Sequence, residues 1–166
     1  MPSTRPIKLN DWGITWEEYK ELTYFCLQYD RKKRDAAALL TLRLSTPVPE
    51  MYHKNGKLYG TFMPHGSGHI SDPVAATAAK RDRLLKDIRM IEQAAKGASE
   101  AARELYKFDI DPRYIIRAVT QRSGVQAMYA NPDTRPPMGE RQFYTVRRIF
   151  YWILHEMKNG DLEPIE

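Results

Sequence analysis

Apolar positions recur at helical spacing over most of this chain. In residues 140–158, at about 100° per residue, Phe143, Val146, Phe150, Ile153, Leu154 and Met157 gather on one face. Arg141, Tyr144, Thr145, Arg148, Trp152 and His155 gather on the other. This predicts one amphipathic helix with a hydrophobic anchor and a basic, aromatic outer face. Near the other end, Thr15-Trp16-Glu17-Glu18 has the form of a capping box, with Thr15 as N-cap. The stripe Tyr19, Leu22, Cys26, Tyr29 follows it and predicts helix over most of 16–42, with Ala36, Ala37 and Leu40 resuming the pattern. Lys33 would fall within that stripe, so either the helix bends or ends near Asp30, or the stripe becomes exposed there.

Between 45 and 72 the pattern changes. Pro47, Pro49, Gly60, Pro64, Gly66 and Gly68 exclude a long helix. Met51–Lys54 and Lys57–Tyr59 flank Asn55-Gly56, which suits a type I′ turn because both central residues need positive φ. A small β-hairpin is expected there, followed by a loop over 64–70. Ser71-Asp72-Pro73 is a helix start, with a capping side chain before Pro at the first helical position. Leu84, Ile88, Ile91 and Ala95 form the stripe of a helix running to about Lys107, with Leu85 beside it and Gly97 as a candidate interruption. Asp111-Pro112 repeats the start signal for a short helix, 112–120, with Ile115, Ile116 and Val119 inward. Ser123 with Gln126 suggests a second short helix, 124–130. Asn131-Pro132-Asp133-Thr134-Arg135-Pro136-Pro137 is a loop.

The expected fold is mainly α: a helical array with a small inserted β-hairpin and a C-terminal helix-turn-helix-like unit. Residues 1–72 carry the N-terminal helix and the Pro/Gly-rich hairpin segment. Residues 73–166 carry the helix-turn-helix-like segment, and the two make one compact domain. A chain of 166 residues, 42% hydrophobic, can bury one core. No apolar run reaches the roughly 18 residues of a membrane span, and Met-Pro-Ser-Thr-Arg-Pro lacks the apolar region of a secretory signal. A cytoplasmic protein with no membrane partner is expected. The single cysteine, Cys26, excludes an internal disulfide and lies on the apolar stripe as a small hydrophobe.

Net charge is +5 and the pI about 9.3, which suits a polyanionic partner without establishing one. Residues 31–34 are Arg-Lys-Lys-Arg, and 80–89 hold Lys80, Arg81, Arg83, Lys86 and Arg89 against Asp82 and Asp87. Both runs read most simply as solvated helix faces. Residues 135–148 hold Arg135, Arg141, Arg147 and Arg148 against Glu140 alone. No Walker-type phosphate loop and no Gly-x-Ser-x-Gly elbow is present. His65 and His69 stand four apart, but in a Gly-containing loop without further ligands, so no metal site is expected. Asp109 and Asp111 are spaced for a turn rather than for acid–base work. No catalytic set and no cofactor emerges, and an enzyme is the class least expected.

Short helix, short connection, short helix, link, long basic helix is an order found in helix-turn-helix domains. The last helix would then be the recognition helix on double-stranded DNA. Arg141 would pair with guanine and Gln142 with adenine, and Thr145 would reach a phosphate or a thymine methyl. Arg135, Arg147 and Arg148 would contact phosphates, with Tyr144 as a hydroxyl donor. The nine-residue link 131–139 departs from the usual turn of about three or four residues. It would be either a wing-like element carrying Arg135 or a sign of another arrangement.

Three segments carry a resemblance: Trp12-Gly13-Ile14-Thr15-Trp16-Glu17-Glu18-Tyr19, Ser71-Asp72-Pro73, and the run from Arg141 to Leu154 with its Phe-Tyr-x-x-Arg-Arg-x-Phe pattern. Together they are similar to the RinA/ArpU-type late-transcription regulators of phages and prophages of Gram-positive bacteria, whose C-terminal part is sigma-region-4-like. The likeness covers the second half of the chain better than the first. It implies DNA binding through the last helix, with Arg141 and Arg148 at the family's basic positions. It also implies a transcriptional role in a bacterial host cell, with RNA polymerase as a further partner. A homodimer is compatible with this reading. Two other readings stay open. One is a phage packaging or assembly adaptor, similar to a small terminase subunit, associating through helix 73–107. The other is a module that binds a host protein through Tyr144, Tyr151 and Trp152.

Overall fold

A computed structural model describes residues 12–45, 51–54, 57–60 and 73–160. Among them the fold is mainly helical. α1 (Trp16–Leu27) begins at the capping box: the Thr15 N–H donates to Glu18 Oε2 at 2.7 Å and the Glu18 N–H to Thr15 Oγ1 at 3.3 Å. α1 ends at Gln28, whose N–H closes a turn to Phe25 while its carbonyl accepts from Lys32. α2 (Tyr29–Ser45) therefore starts at once, and the chain breaks at Gln28, just before the position expected from Lys33. The break rotates the second stripe. Tyr29, Lys32 and Ala36 turn inward, while Lys33, Ala37 and Leu40 are exposed.

The buried lysine is thus Lys32, from a run expected to be a wet face. Its ammonium lies 2.7 Å from Asp87 Oδ2 and 3.9 Å from the centroid of Phe25, so its charge is paired and its stem covers apolar surface. Beside it Tyr29 Oη donates to Glu92 Oε1 at 2.6 Å. These contacts fasten α2 to α3 (Pro73–Tyr106).

α3 is continuous over 34 residues, and Gly97 does not interrupt it. Gly97 serves close approach: a Cβ there would stand 3.0 Å from Ile153 Cδ1. Ile153 belongs to α6 (Glu140–Asn159), which packs along α3. Ala94, Ala95, Ala98 and Ala102 of α3 are fully buried as well. α3 ends with Lys107 at a φ of 55°, its N–H closing on the Arg103 carbonyl. Buried Ser99 donates to the Ile110 carbonyl and holds the connection to α4 (Pro112–Thr120). α5 (Gly124–Ala130) and a 3-10 turn (Pro132–Thr134) precede α6.

Two short strands, β1 (Met51–Lys54) and β2 (Lys57–Gly60), pair antiparallel, with Tyr52 opposite Tyr59. The expected turn Asn55-Gly56, the loop 64–70 with its two histidines, and the Ser71-Asp72 cap lie outside the described residues. No helix among the described residues is long and apolar enough to cross a membrane. One cluster of buried residues spans α1 to α6, from Ile14 and Cys26 to Phe150 and Leu154.

Candidate nucleic-acid interface

α4 starts as its sequence directs. Asp111 accepts the Arg113 N–H at 2.9 Å, Pro112 follows, and Ile115, Ala118 and Val119 are buried. Ile116, expected inward, is only half-buried. The three residues 121–123 separate α4 from α5. Gly124 takes a φ of 60° there, a conformation that suits a residue without Cβ. Ser123 makes no capping bond, so the expected capping box is absent. Val125 and Met128 hold α5 to the core, and α4, α5 and α6 each touch the other two.

The link 131–139 is a bonded bridge. Asn131 Oδ1 accepts the Asp133 N–H at 3.0 Å, and Thr134 Oγ1 donates to the Met128 carbonyl at 3.1 Å. Arg135 donates through Nε and Nη2 to the Tyr129 carbonyl, at 3.2 and 2.9 Å. Tyr129 Oη donates to the Met138 carbonyl at 2.8 Å, and its ring meets Phe143 edge-on with centroids 6.0 Å apart. Pro136 and Met138 are buried beneath the bridge. Burial, then the charge of Glu140, pushes the Tyr129 phenol up to about 12, against the opposing effect of Arg135. The hydroxyl therefore stays protonated and remains a donor at neutral pH.

α6 is buried on more of its circumference than its hydrophobic face predicts. Phe143, Val146, Phe150 and Leu154 are fully buried as expected, and Ile149 and Tyr151 join them. The reason is that several helices pack around it, α4 and α5 among them. α3 packs on one side, and α1 crosses the C-terminal half on another. Just before α1, Trp12 meets Trp152 (6.4 Å between centroids), and the contacts from α1 itself are Tyr19 on Tyr151 (5.1 Å) and Glu18 Oε1 at 3.4 Å from His155 Nε2. His155, expected outward, is half-buried by this contact.

The proposed contact residues accordingly divide. Arg141 and Gln142 are exposed in the first turn of α6. Thr145 is half-buried, with its hydroxyl donating to the Arg141 carbonyl at 3.3 Å. Arg148 is half-buried, and its buried Nη1 meets no acceptor in the protein. Arg135 is exposed, its guanidinium aimed by the bond to Tyr129. Tyr144 is half-buried against the core. Arg147 departs from the expected phosphate-facing position. Its Nη2 lies 3.4 Å from Tyr19 Oη and its guanidinium carbon 5.5 Å from the Tyr151 ring centroid, because α1 stands on that side. Burial works against its charge, but the phenol groups of Tyr151 and Tyr19 outweigh it and hold its pKa above the ordinary value.

What remains at least partly outward is a seam along α6, exposed at Arg141 and Trp152 and half-buried at Thr145 and Arg148, spaced i, i+4, i+7, i+11. Trp152 is 37% exposed. No ion pair among the described residues engages Arg117, Arg122, Arg135, Arg141 or Arg148, whereas Arg113 is held by Asp111 at 2.7 Å. Residues 112–160 hold eight arginines and lysines against three aspartates and glutamates, and the rest of the chain is balanced. The whole excess of +5 therefore sits in α4 to α6. Such a surface attracts an anion with several spaced charges.

Tyr129 is the organising residue that the sequence pattern does not reveal. A tyrosine near the end of a short helix carries no periodic signal, and its partners lie 6, 9 and 14 residues further on. No protein-family model, curated protein or solved structure matches this chain.

Proposed function

We propose that this protein is a DNA-binding transcriptional regulator, of the phage or prophage kind its sequence resembles, with α6 as recognition helix. In this reading 112–160 is the helix-turn-helix-like unit, and the strand pair 51–54/57–60 is a hairpin inserted in the helical array. The observation that carries the reading is the seam of α6. Arg141 and Gln142 stand exposed at its N-terminal turn while Phe143, Val146 and Phe150 anchor the opposite side at zero exposure. A helix held this way presents base-reading side chains at its leading end and phosphate-contacting ones behind. Arg141 reads a guanine edge, Gln142 reads an adenine, and Arg135 and Arg148 contact phosphates. Arg147 and Tyr144 support the helix from within.

The test is binding to duplexes selected from a randomised pool, measured at two salt concentrations. Affinity falls steeply with salt, because phosphate contacts release counterions. Arg141→Ala weakens the best site by about 1–3 kcal/mol and relaxes preference at one base position. Unchanged affinity and preference in that variant would remove α6 from the role of reader. The host-protein reading loses one of its anchors, since Tyr151 is 1% exposed.

A further inference from the structure

We propose that Tyr129 is the positioning residue of this interface: by tying the link 131–139 to both ends, it sets the direction in which α6 presents Arg141 and Gln142. The inference rests on the DNA-binding reading and adds to it the element that determines specificity.

The argument starts from the chain between α5 and α6. Pro136 and Pro137 are stiff, since each ring fixes its own φ. Gly139, the N-cap of α6, has no side chain to cap the helix, so it is the loosest joint before the first turn. The last tether ahead of that joint is the Met138 carbonyl, held by Tyr129 Oη at 2.8 Å. The same residue's own carbonyl holds the Arg135 guanidinium, and its ring rests on Phe143, the first buried residue of α6. One side chain and its peptide thus connect a phosphate-contacting arginine, the entry to α6 and the helix anchor. Arg141 follows Met138 by three residues, so a change in the φ and ψ torsions flanking the Met138–Gly139 peptide displaces its guanidinium. Base readout depends on bidentate geometry, whereas phosphate attraction tolerates displacement. Loosening the bridge therefore degrades discrimination before it degrades overall affinity.

The experiment compares two duplexes, one selected by the wild-type protein from a randomised pool and one scrambled duplex of equal length. Tyr129→Phe keeps the ring on Phe143 and removes the bond to Met138. The expected result is a fall of about 2- to 10-fold in the ratio of selected to scrambled affinity, in line with the loss of one hydrogen bond. The salt slope stays unchanged. In an Arg141→Ala background the same substitution lowers the ratio by a smaller factor than in the wild type, because the part of its effect that runs through Arg141 is already lost. A second variant, Arg135→Gln, lowers the salt slope by about one and the ratio as well. Should Tyr129→Phe fail to fold, Arg135→Gln decides alone: a lower slope with an intact ratio makes Arg135 a simple phosphate contact and overturns the proposal. A folded Tyr129→Phe with an undiminished ratio, or an equal loss in the Arg141→Ala background, overturns it too. A wild-type protein that enriches no duplex at low salt overturns the DNA-binding reading itself.

Discussion

At the scale of single residues, the start of α1 shows how a local signal acquires a tertiary use. Glu18 closes the capping box and also faces His155 on α6. Hydrogen bonds from the Thr15 backbone and side chain, then the His155 contact, hold its carboxyl below the ordinary value of 4.5. A carboxylate with a depressed folded pKa adds stability above its unfolded value, and that stability is lost as pH falls through the folded value. Glu18→Gln keeps a capping-box side chain but removes the charge. Thermal melts across pH are therefore expected to show wild type above Glu18→Gln at neutral pH, with the gap closing on acidification below 4.5. Parallel profiles would mean that the charge contributes nothing.

At the scale of elements, α3 is packed among its neighbours through small residues. Ala94, Ala98 and Ala102 have zero exposure, and Ile153 of α6 reaches over Gly97. Interiors are packed to crystal density, so added volume there forces neighbours apart. Ala98→Leu is expected to cost about 1–3 kcal/mol in urea unfolding, even though leucine is a good helix former. The exposed neighbour Lys96, changed to leucine, should shift stability by no more than about 0.5 kcal/mol. Equal effects at both positions would contradict tight packing of the buried side of α3. Loosened packing there would also disturb the seam, since the anchored side of α6 is what holds Arg141 and Arg148 outward.

At the scale of the molecule, charge is segregated. The region from α4 to α6 carries the whole net excess, while the rest of the chain is neutral. Regulators of the proposed kind act as one or two copies on DNA, whereas a packaging adaptor would form a ring of many copies. Light scattering behind size exclusion is expected to return the mass of one or two 19.3 kDa chains. A mass many times larger would shift the reading to the packaging class.

Several features were determined by sequence alone because their causes are local. The capping box at Thr15, the Asp111-Pro112 start and the inward set Phe143, Val146, Phe150 and Leu154 follow from neighbours within a turn or two. Exposure of Arg141 was legible for the same reason. The choice of Lys32 over Lys33 as the buried cation came from the break at Gln28, which rotates one stripe against the next. The inward turn of Arg147, the burial of Tyr151 and the bridge through Tyr129 needed the tertiary structure. Periodicity gives a direction around one helix but not the number of helices beside it. With α1 and α3 both packed on α6, the outward face narrows to one seam, and only the assembled fold decides which arginines remain on it.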